Sequence, residues 1–402
     1  MRWASTLSRE PDVSAAFAEA AKDLDGQLGE SAPDLLLVFA SSDHAAGWER
    51  IAALAAKRFP RALVAGCTAS GVIGGAREVE EGSAFSLTAA SLPGVEVSGF
   101  RVEPGASGGS PRAPHGWREL VGRRPEERPN LLVLADPFTV DVGELVAELD
   151  RAYPGVPKFG GLASGGRRPA ENRVLLGDEV FRGGAVGVAL TGDVAVDTLI
   201  AQGCRPIGEP MIMTRCRGGL LQELDGRPPI EVLTELYRGA DARDRELMQH
   251  SLFLGLEMRA DAVVHEPGEL LVRNLLGADE ESGAIAVGAE LEPMSVAQFV
   301  LRDAHSAEEE LRRMLARRRR DGIRPAGALL FSCVGRGAGL FGCPDHDTSL
   351  FEEQLGPAPL GGFFCNGEIG PVGGTTFLHG YTSAFAIFRD ARGAGERPGA
   401  AP

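Results

Sequence analysis

Asp34-Leu-Leu-Leu-Val-Phe-Ala40 sets six apolar residues in a row, too short for a helix spanning a core and without the alternation of a half-exposed strand. Such a run predicts a strand buried on both faces of a sheet. Downstream, the pattern predicts a helix from about His44 to Lys57. A second buried strand follows, Arg61-Ala-Leu-Val-Ala-Gly-Cys67, and then a turn at Ser70-Gly71-Val72-Ile73-Gly74. Phe85 to Ala90 and Val95 to Val102 read as further strands joined by Pro93-Gly94. Upstream, Val13, Phe17, Ala20, Ala21, Leu24 and Leu28 share one face of a helix over 12–28, read as a leader over residues 1–29.

The same order returns twice. Asn130 to Ala135 leads to a helix near Gly143 to Tyr153, a strand from Val156 to Leu162 and Ser164-Gly165-Gly166. A hairpin is then expected, Val174 to Leu176 with Ala185 to Leu190. Ala328 to Cys333 leads to a helix near Thr348 to Gln354, a strand from Leu360 to Cys365, the turn Asn366-Gly367-Glu368-Ile369-Gly370 and a strand from Ser383 to Phe388. Self-similarity of this kind marks a duplicated supersecondary unit. The predicted fold class is α/β, with two domains of mixed β-sheets covered by helices, built from a repeated strand–helix–strand–Gly turn–hairpin unit. The 402 residues exceed what one core usually serves. Pro228-Pro229, opening a helix through Tyr237, places the boundary between domains at 30–228 and 229–390. Pro104 to Pro129 reads as a surface loop, and 391–402 as a disordered tail.

A net charge of −15 argues against nucleic acid and against anionic membranes as partners. The cluster Arg312, Arg313 and Arg317 to Arg320 ends a helix that opens on a capping box, Ser306 with Glu309, and reads as a solvated face. No 18-residue apolar run occurs, and the six cysteines follow no secreted-domain rhythm, so the expected compartment is the reducing cytoplasm.

Several residues invite chemistry. Cys365, Glu368 and His379 fall in one strand–turn–strand element, where a base beside the thiol would make a nucleophile; a packed thiol is the plainer reading. Cys333, Cys343, His346, Cys365 and His379 offer only one close pair, Cys343-Pro-Asp-His346, so no metal is expected. Asp345, His346 and Asp347 read as an exposed loop capping the next helix. Arg336 follows a strand directly, and its fork suits either a ligand carboxylate or an internal salt bridge. The glycine turns lack the lysine of a phosphate loop and the elbow of a hydrolase. They lie where open α/β sheets gather ligands.

These residues resemble the FIST family (F-box and intracellular signal transduction proteins). Its N-terminal domain is similar to the stretch carrying Gly66-Cys67-Thr-Ala-Ser70-Gly71-Val-Ile73-Gly74, Lys158-Phe-Gly-Gly161 and Leu224-Asp-Gly-Arg-Pro228. Its C-terminal domain is similar to the stretch with Phe331-Ser-Cys333-Val-Gly-Arg336-Gly, Gly361-Gly-Phe-Phe-Cys365-Asn-Gly-Glu368-Ile-Gly-Pro371 and Phe377-Leu-His379-Gly-Tyr-Thr382. The resemblance implies a sensory domain pair that binds small ligands such as amino acids. It supplies no catalytic set, so no conventional enzyme and no cofactor are expected. Bacterial relatives often carry kinase or cyclase outputs, and some eukaryotic ones an F-box. This leader is short for an F-box and no output domain is read after Phe388, so a separate signalling or adaptor partner is expected. The ligand-contact candidates are Cys67, Ser70, Cys333, Arg336, Cys365, Asn366, Glu368, His379 and Thr382. A ligand-free interaction adaptor and a thiol enzyme using Cys365 and His379 are the alternatives.

Overall fold

The computed structural model describes residues 1–105, 113–258 and 270–391. It has two compact units: Met1–Ile200 with Met314–Leu378 and the chain from Thr382, and Ala201–Arg313 with His379–Tyr381. Both combine helices with mixed or antiparallel sheets, an α/β architecture.

In the first unit one chain path is followed three times. The first pass runs β1 (Arg2–Ser8), α1 (Val13–Leu28), β2 (Leu35–Ser41), α2 (Trp48–Arg58), β3 (Leu63–Ala69), β4 (Gly71–Gly74), β5 (Arg77–Val79) and β6 (Phe85–Ser91). The second runs β7 (Val95–Val102), α3 (Pro114–Val121), β8 (Asn130–Ala135), α4 (Val142–Ala152), β9 (Lys158–Leu162), β10 (Val174–Leu176), β11 (Glu179–Phe181) and β12 (Ala185–Gly192). The third begins with β13 (Val194–Ala201). After an insertion over residues 202–303, it resumes with α7 (Ala304–Arg320), β21 (Gly327–Cys333), the short α8 (Ala338–Phe341) and α9 (His346–Leu355). It closes with β22 (Leu360–Cys365), β23 (Glu368–Val372), β24 (Thr375–His379) and β25 (Ser383–Asp390).

Each pass makes a six-stranded sheet around one parallel pair, β2–β3, β8–β9 or β21–β22. The hairpins are exchanged cyclically. β4–β5 extends the sheet of the third pass by pairing with β22; β10–β11 extends the first through β3; β23–β24 extends the second through β9. No parallel pair therefore keeps an open edge on that side, the exposure that invites aggregation. The exchange corrects two expectations. Gly71–Gly74 and Glu368–Val372 are strands rather than turns. The hairpin partner of β10 is β11, while β12 returns to pair with β8 and β7.

One glycine marks the same register in all three passes. A Cβ on Gly66, Gly160 or Gly362 would lie 2.1, 1.9 or 1.9 Å from the carbonyl oxygen of Val38, Val133 or Leu330. Only a residue without a side chain lets the parallel strands close there.

One face of every sheet turns to a shared core, with Leu37 and Phe39, Leu132 and Leu134, and Phe331, Phe363 and Phe388. Helices cover the outer faces: Phe17, Leu24, Trp48 and Ile51 pack on Leu36, Val38 and Phe85, and Trp117, Leu145 and Leu149 pack on Leu131 and Val133. Asp12 caps α1 by accepting the Ala15 N–H at 2.9 Å, and Gly29 ends it.

Three further expectations change. Residues 1–29 are no separate leader, since β1 pairs with β6 along its whole length. The loop expected over Pro104 to Pro129 contains α3, anchored by buried Trp117, whose indole N–H donates to Glu148 at 2.8 Å; residues 106–112 lie outside the described residues. The start of α7 is capped by Asp303, which accepts the Ser306 N–H at 2.9 Å, not by Ser306. Pro228, where the two domains are expected to divide, lies within the compact unit Ala201–Arg313. The tail from residue 392 lies outside the described residues.

In the second unit, β14 (Cys204–Pro206), β15 (Met211–Arg217), β16 (Leu220–Leu224), β17 (Leu252–Glu257), β18 (Leu270–Ala278), β19 (Ile285–Val287) and β20 (Val296–Arg302) pair antiparallel. β20 pairs with both β15 and β17, so six strands close into a small barrel around Met213, Leu254, Ile285 and Phe299. Helices α5 (Pro229–Gly239) and α6 (Ala242–His250) complete it.

Candidate functional site

The common register of the first unit allows its three passes to be compared position by position. Two residues beyond Val38 and Val133 stand Ala40 and Ala135; two beyond Leu330 stands Ser332. Three beyond Gly66 and Gly160 stand Ala69 and Ala163; three beyond Gly362 stands Cys365. Across from the residue after each glycine stand Val174, Val72 and, in one case only, Glu368. The scaffold accepts small or apolar residues at all three places, yet the third pass carries a hydroxyl, a thiol and a carboxylate, each fully buried. Burying such groups costs stability unless they are bonded, so their presence is a feature of this pass and not of the fold.

The thiol and the carboxylate bond to each other, while the Ser332 hydroxyl lies 3.5 Å from Asp347 Oδ2. The Cys365 thiol lies 3.4 Å from the Ser332 carbonyl oxygen and 3.4 Å from Glu368 Oε1. The Thr382 N–H donates to Glu368 Oε2 at 3.2 Å, and the Cys333 N–H to the Thr382 carbonyl at 2.9 Å. Gly161 makes room for the thiol, since a Cβ there would lie 3.0 Å from Cys365 Sγ. Burial pushes the Cys365 thiol well above its ordinary value and Glu368 adds to the effect, so it stays protonated at neutral pH. That is the reverse of an activated nucleophile.

The Arg336 fork closes on Asp347: Nε and Nη2 donate to Asp347 Oδ2 and Oδ1 at 2.8 and 3.0 Å, and both residues are buried. This is the internal salt bridge, one of the two roles the sequence leaves open for Arg336. It corrects the exposed loop expected at 345–347, since Asp347 is 1% exposed. Asp347 further accepts from Ser383 at 2.7 Å and pairs with His346 Nδ1 at 3.0 Å. Burial alone would raise its pKa; Arg336, His346 and Ser383 hold it well below the carboxylate range.

Next to Asp347, the Thr348 N–H donates to Glu78 Oε1 at 2.8 Å. Burial first, and the charge of Asp347 second, push Glu78 up to about 8. Glu78 lines a groove of about 940 Å³ that also receives Arg9, Asp23, Arg77, Glu80 and Glu81. Its walls are fixed by Asp345, which accepts from Arg77 Nε at 2.7 Å and from the Glu78 N–H at 2.6 Å, and by Glu80, which accepts the Ala338 N–H at 2.8 Å. Glu78 and Cys365 are thus joined stepwise: Glu78 accepts from the Thr348 N–H, Thr348 follows Asp347 in the chain, Asp347 lies 3.5 Å from the Ser332 hydroxyl, and the Ser332 carbonyl meets the Cys365 thiol beside Glu368.

The other candidates lie as follows. Ser70 and Asn366 are exposed at equivalent ends of β3 and β22. The Ser70 N–H donates to Ser164 Oγ at 2.8 Å, and the Asn366 N–H to the Leu162 carbonyl at 3.2 Å, so the turns of all three passes meet. Cys67 is a core residue, packed among apolar neighbours with its thiol pushed up by burial. His379 is buried and belongs to the second unit. Lys158 is sealed at the opposite end of β9, its Nζ 2.6 Å from Asp150 Oδ1. Glu78, Ser332, Asp347 and Ser383 were missed by sequence reading; Ser332 was detectable as a serine where the other two passes have alanine.

Residues 34–227 match the FIST N domain and residues 229–371 the FIST C domain. An uncharacterized protein of Mycobacterium tuberculosis (strain ATCC 25618 / H37Rv) is 37% identical over 97% of this chain and 100% of its own length. One of Mycobacterium bovis is 36% identical over 97% of this chain and 99% of its own. An F-box/LRR-repeat protein of Arabidopsis thaliana is 26% identical over 55% of this chain and 44% of its own. The crystal structure of a cyanuric acid hydrolase from A. caulinodans covers 96% of this chain and 99% of that one at 8% identity, with a TM-score of 0.33, too weak a likeness to bear on fold or function. No helix among the described residues is long and apolar enough to cross a membrane. With both domains matched along most of its length, the chain belongs to the FIST family, whose domains are associated with signal transduction.

Proposed function

We propose that this protein is a sensory module that binds a small zwitterionic molecule, an amino acid being the first class to test, in the groove between Arg77, Glu78 and Glu80. Its occupancy is then reported to a separate signalling partner. The observation that carries this reading is the buried polar path from Cys365 and Glu368 of the third pass to Glu78 of the first, which borders the groove. Groups of both signs, Arg9 and Arg77 against Asp23, Glu80 and Glu81, line the groove and suit a carboxylate and an ammonium on one ligand. A ligand charge near Glu78 changes the protonation of that carboxyl, and Asp347 and Arg336 respond to it through the contacts above.

Isothermal calorimetry with the free amino acids on the wild type, Arg77→Ala and Glu80→Ala tests the proposal. Heat from at least one compound is expected, weakened about tenfold or more by one or both substitutions if the contact is a charged hydrogen bond. Heat from none of them, or heat unchanged in both variants, overturns it.

A further inference from the structure

The second unit holds a hollow of its own. Between β14 and β15 the chain leaves β20, with Pro206 paired to Val300 and Met211 to Ala297, so Ile207 to Pro210 bulges from the barrel wall. The bulge is held by the Ile207 N–H on the Phe299 carbonyl at 2.8 Å and by Gln298 Nε2 on the Gly208 carbonyl at 2.7 Å. The result is a cavity of about 580 Å³ at the barrel mouth, lined by Ile207, Met211, Val232, Leu236, Met248 and Phe299. That volume is in the range of small-molecule sites, and barrel mouths are a recurrent place for them.

Its cover is thin. α6 contributes no fully buried residue, and Leu236 and Met248 remain only half-buried over the apolar floor. The helix is held instead by polar links: Asp244 to Arg205, and Arg245 to the carbonyls of Tyr237 and Arg238 at 3.1 Å each. A helix fixed by its polar side above unfilled apolar space matches a lid over a ligand, and methionines adapt to varied shapes. At the rim, Arg227 pairs with Glu235 at 2.7 Å and Asp244 with Arg205, whereas Glu209 carries no ion pair among the described residues. We infer that this cavity binds a small molecule with an apolar body and one cationic amine, the body on the methionine-lined floor and the amine at Glu209.

The full chain with ¹³C-methyl-labelled methionine tests this by NMR titration with octylamine, octanol and octanoate, which share a body and differ in the head group. Octylamine is expected to shift the Met211 and Met248 resonances and to bind tighter than octanol, with octanoate weakest. Glu209→Gln should weaken octylamine about two- to fivefold, as for an exposed charge pair, and leave octanol unchanged. Leu236→Trp, which fills the hollow, should weaken all three. No shift at Met211 and Met248 with octylamine overturns the site. Octanoate binding as tightly as octylamine, or Glu209→Gln weakening octanol equally, overturns the assignment of the amine.

Discussion

At the scale of single residues, the pair Arg336–Asp347 decides the chemistry of the third pass. Two hydrogen bonds between buried charges offset much of the desolvation, and removing one partner leaves the other uncompensated. Asp347→Asn should therefore lower unfolding free energy by about 3–5 kcal/mol in urea titration. The double change Arg336→Met, Asp347→Leu should cost clearly less, since no charge is stranded. Glu78 gives a pH signature. Its folded-state pKa of about 8 lies above the unfolded value of ~4.3. The folded state therefore holds the proton more tightly, and this contribution is complete below the unfolded value and lost as pH rises through about 8. Glu78→Gln should flatten thermal stability between pH 6 and 9 and exceed the wild type at pH 9, by on the order of 1–3 kcal/mol; a parallel pH profile in the variant would contradict it. None of this could be read from sequence. Asp347 lies eleven residues from Arg336 in a stretch, Cys-Pro-Asp-His-Asp, with every local mark of an exposed loop, and Glu78 arrives from another pass.

At the scale of elements, what was legible and what was not divide along local and non-local lines. The buried parallel strands were legible because each is a short apolar run, and α1, α4 and α9 because their apolar faces repeat at helical spacing. β1 was not: Trp3 and Ala4 are buried, but Arg2, Ser5, Thr6 and Ser8 give the segment no apolar run, and only its pairing with β6 makes it a strand. α3 was hidden by the Pro and Gly of its neighbourhood, although Trp117 and Val121, four apart, were the one periodic signal available. Of the exchanged hairpins only β10 was legible as a strand, and with the wrong partner, because each strand is three to five residues long and the hairpin pairs with another pass. The candidate site was legible in several of its members but not in the partners that hold them. Arg336, Cys365, Glu368 and Thr382 do meet in the network at the ends of β21 and β22, where each bonds a partner within the chain.

At the scale of the whole first unit, cyclic exchange has a thermodynamic consequence. Were each pass a self-contained layer, its sheet could open alone, as repeats in a linear array do. Here every sheet contains a hairpin from another pass, and all three inner faces share one core. Opening one sheet therefore strips a hairpin from a second and exposes the core of all three, so the unit should lose structure in one step. Val72 is the sharpest probe: it belongs to the first pass, pairs with Phe363 of the third and is fully buried in the shared core. Val72→Ala should cost about 1–3 kcal/mol by loss of buried apolar volume. Native-state hydrogen exchange should then show the slowest amides of β2, β8 and β21 weakened by the same free energy, although β8 contains no partner of Val72. Protection lost in β21 and β22 alone, with β8 unchanged, would mean that the passes open independently and that hairpin exchange joins them in topology without coupling their stability.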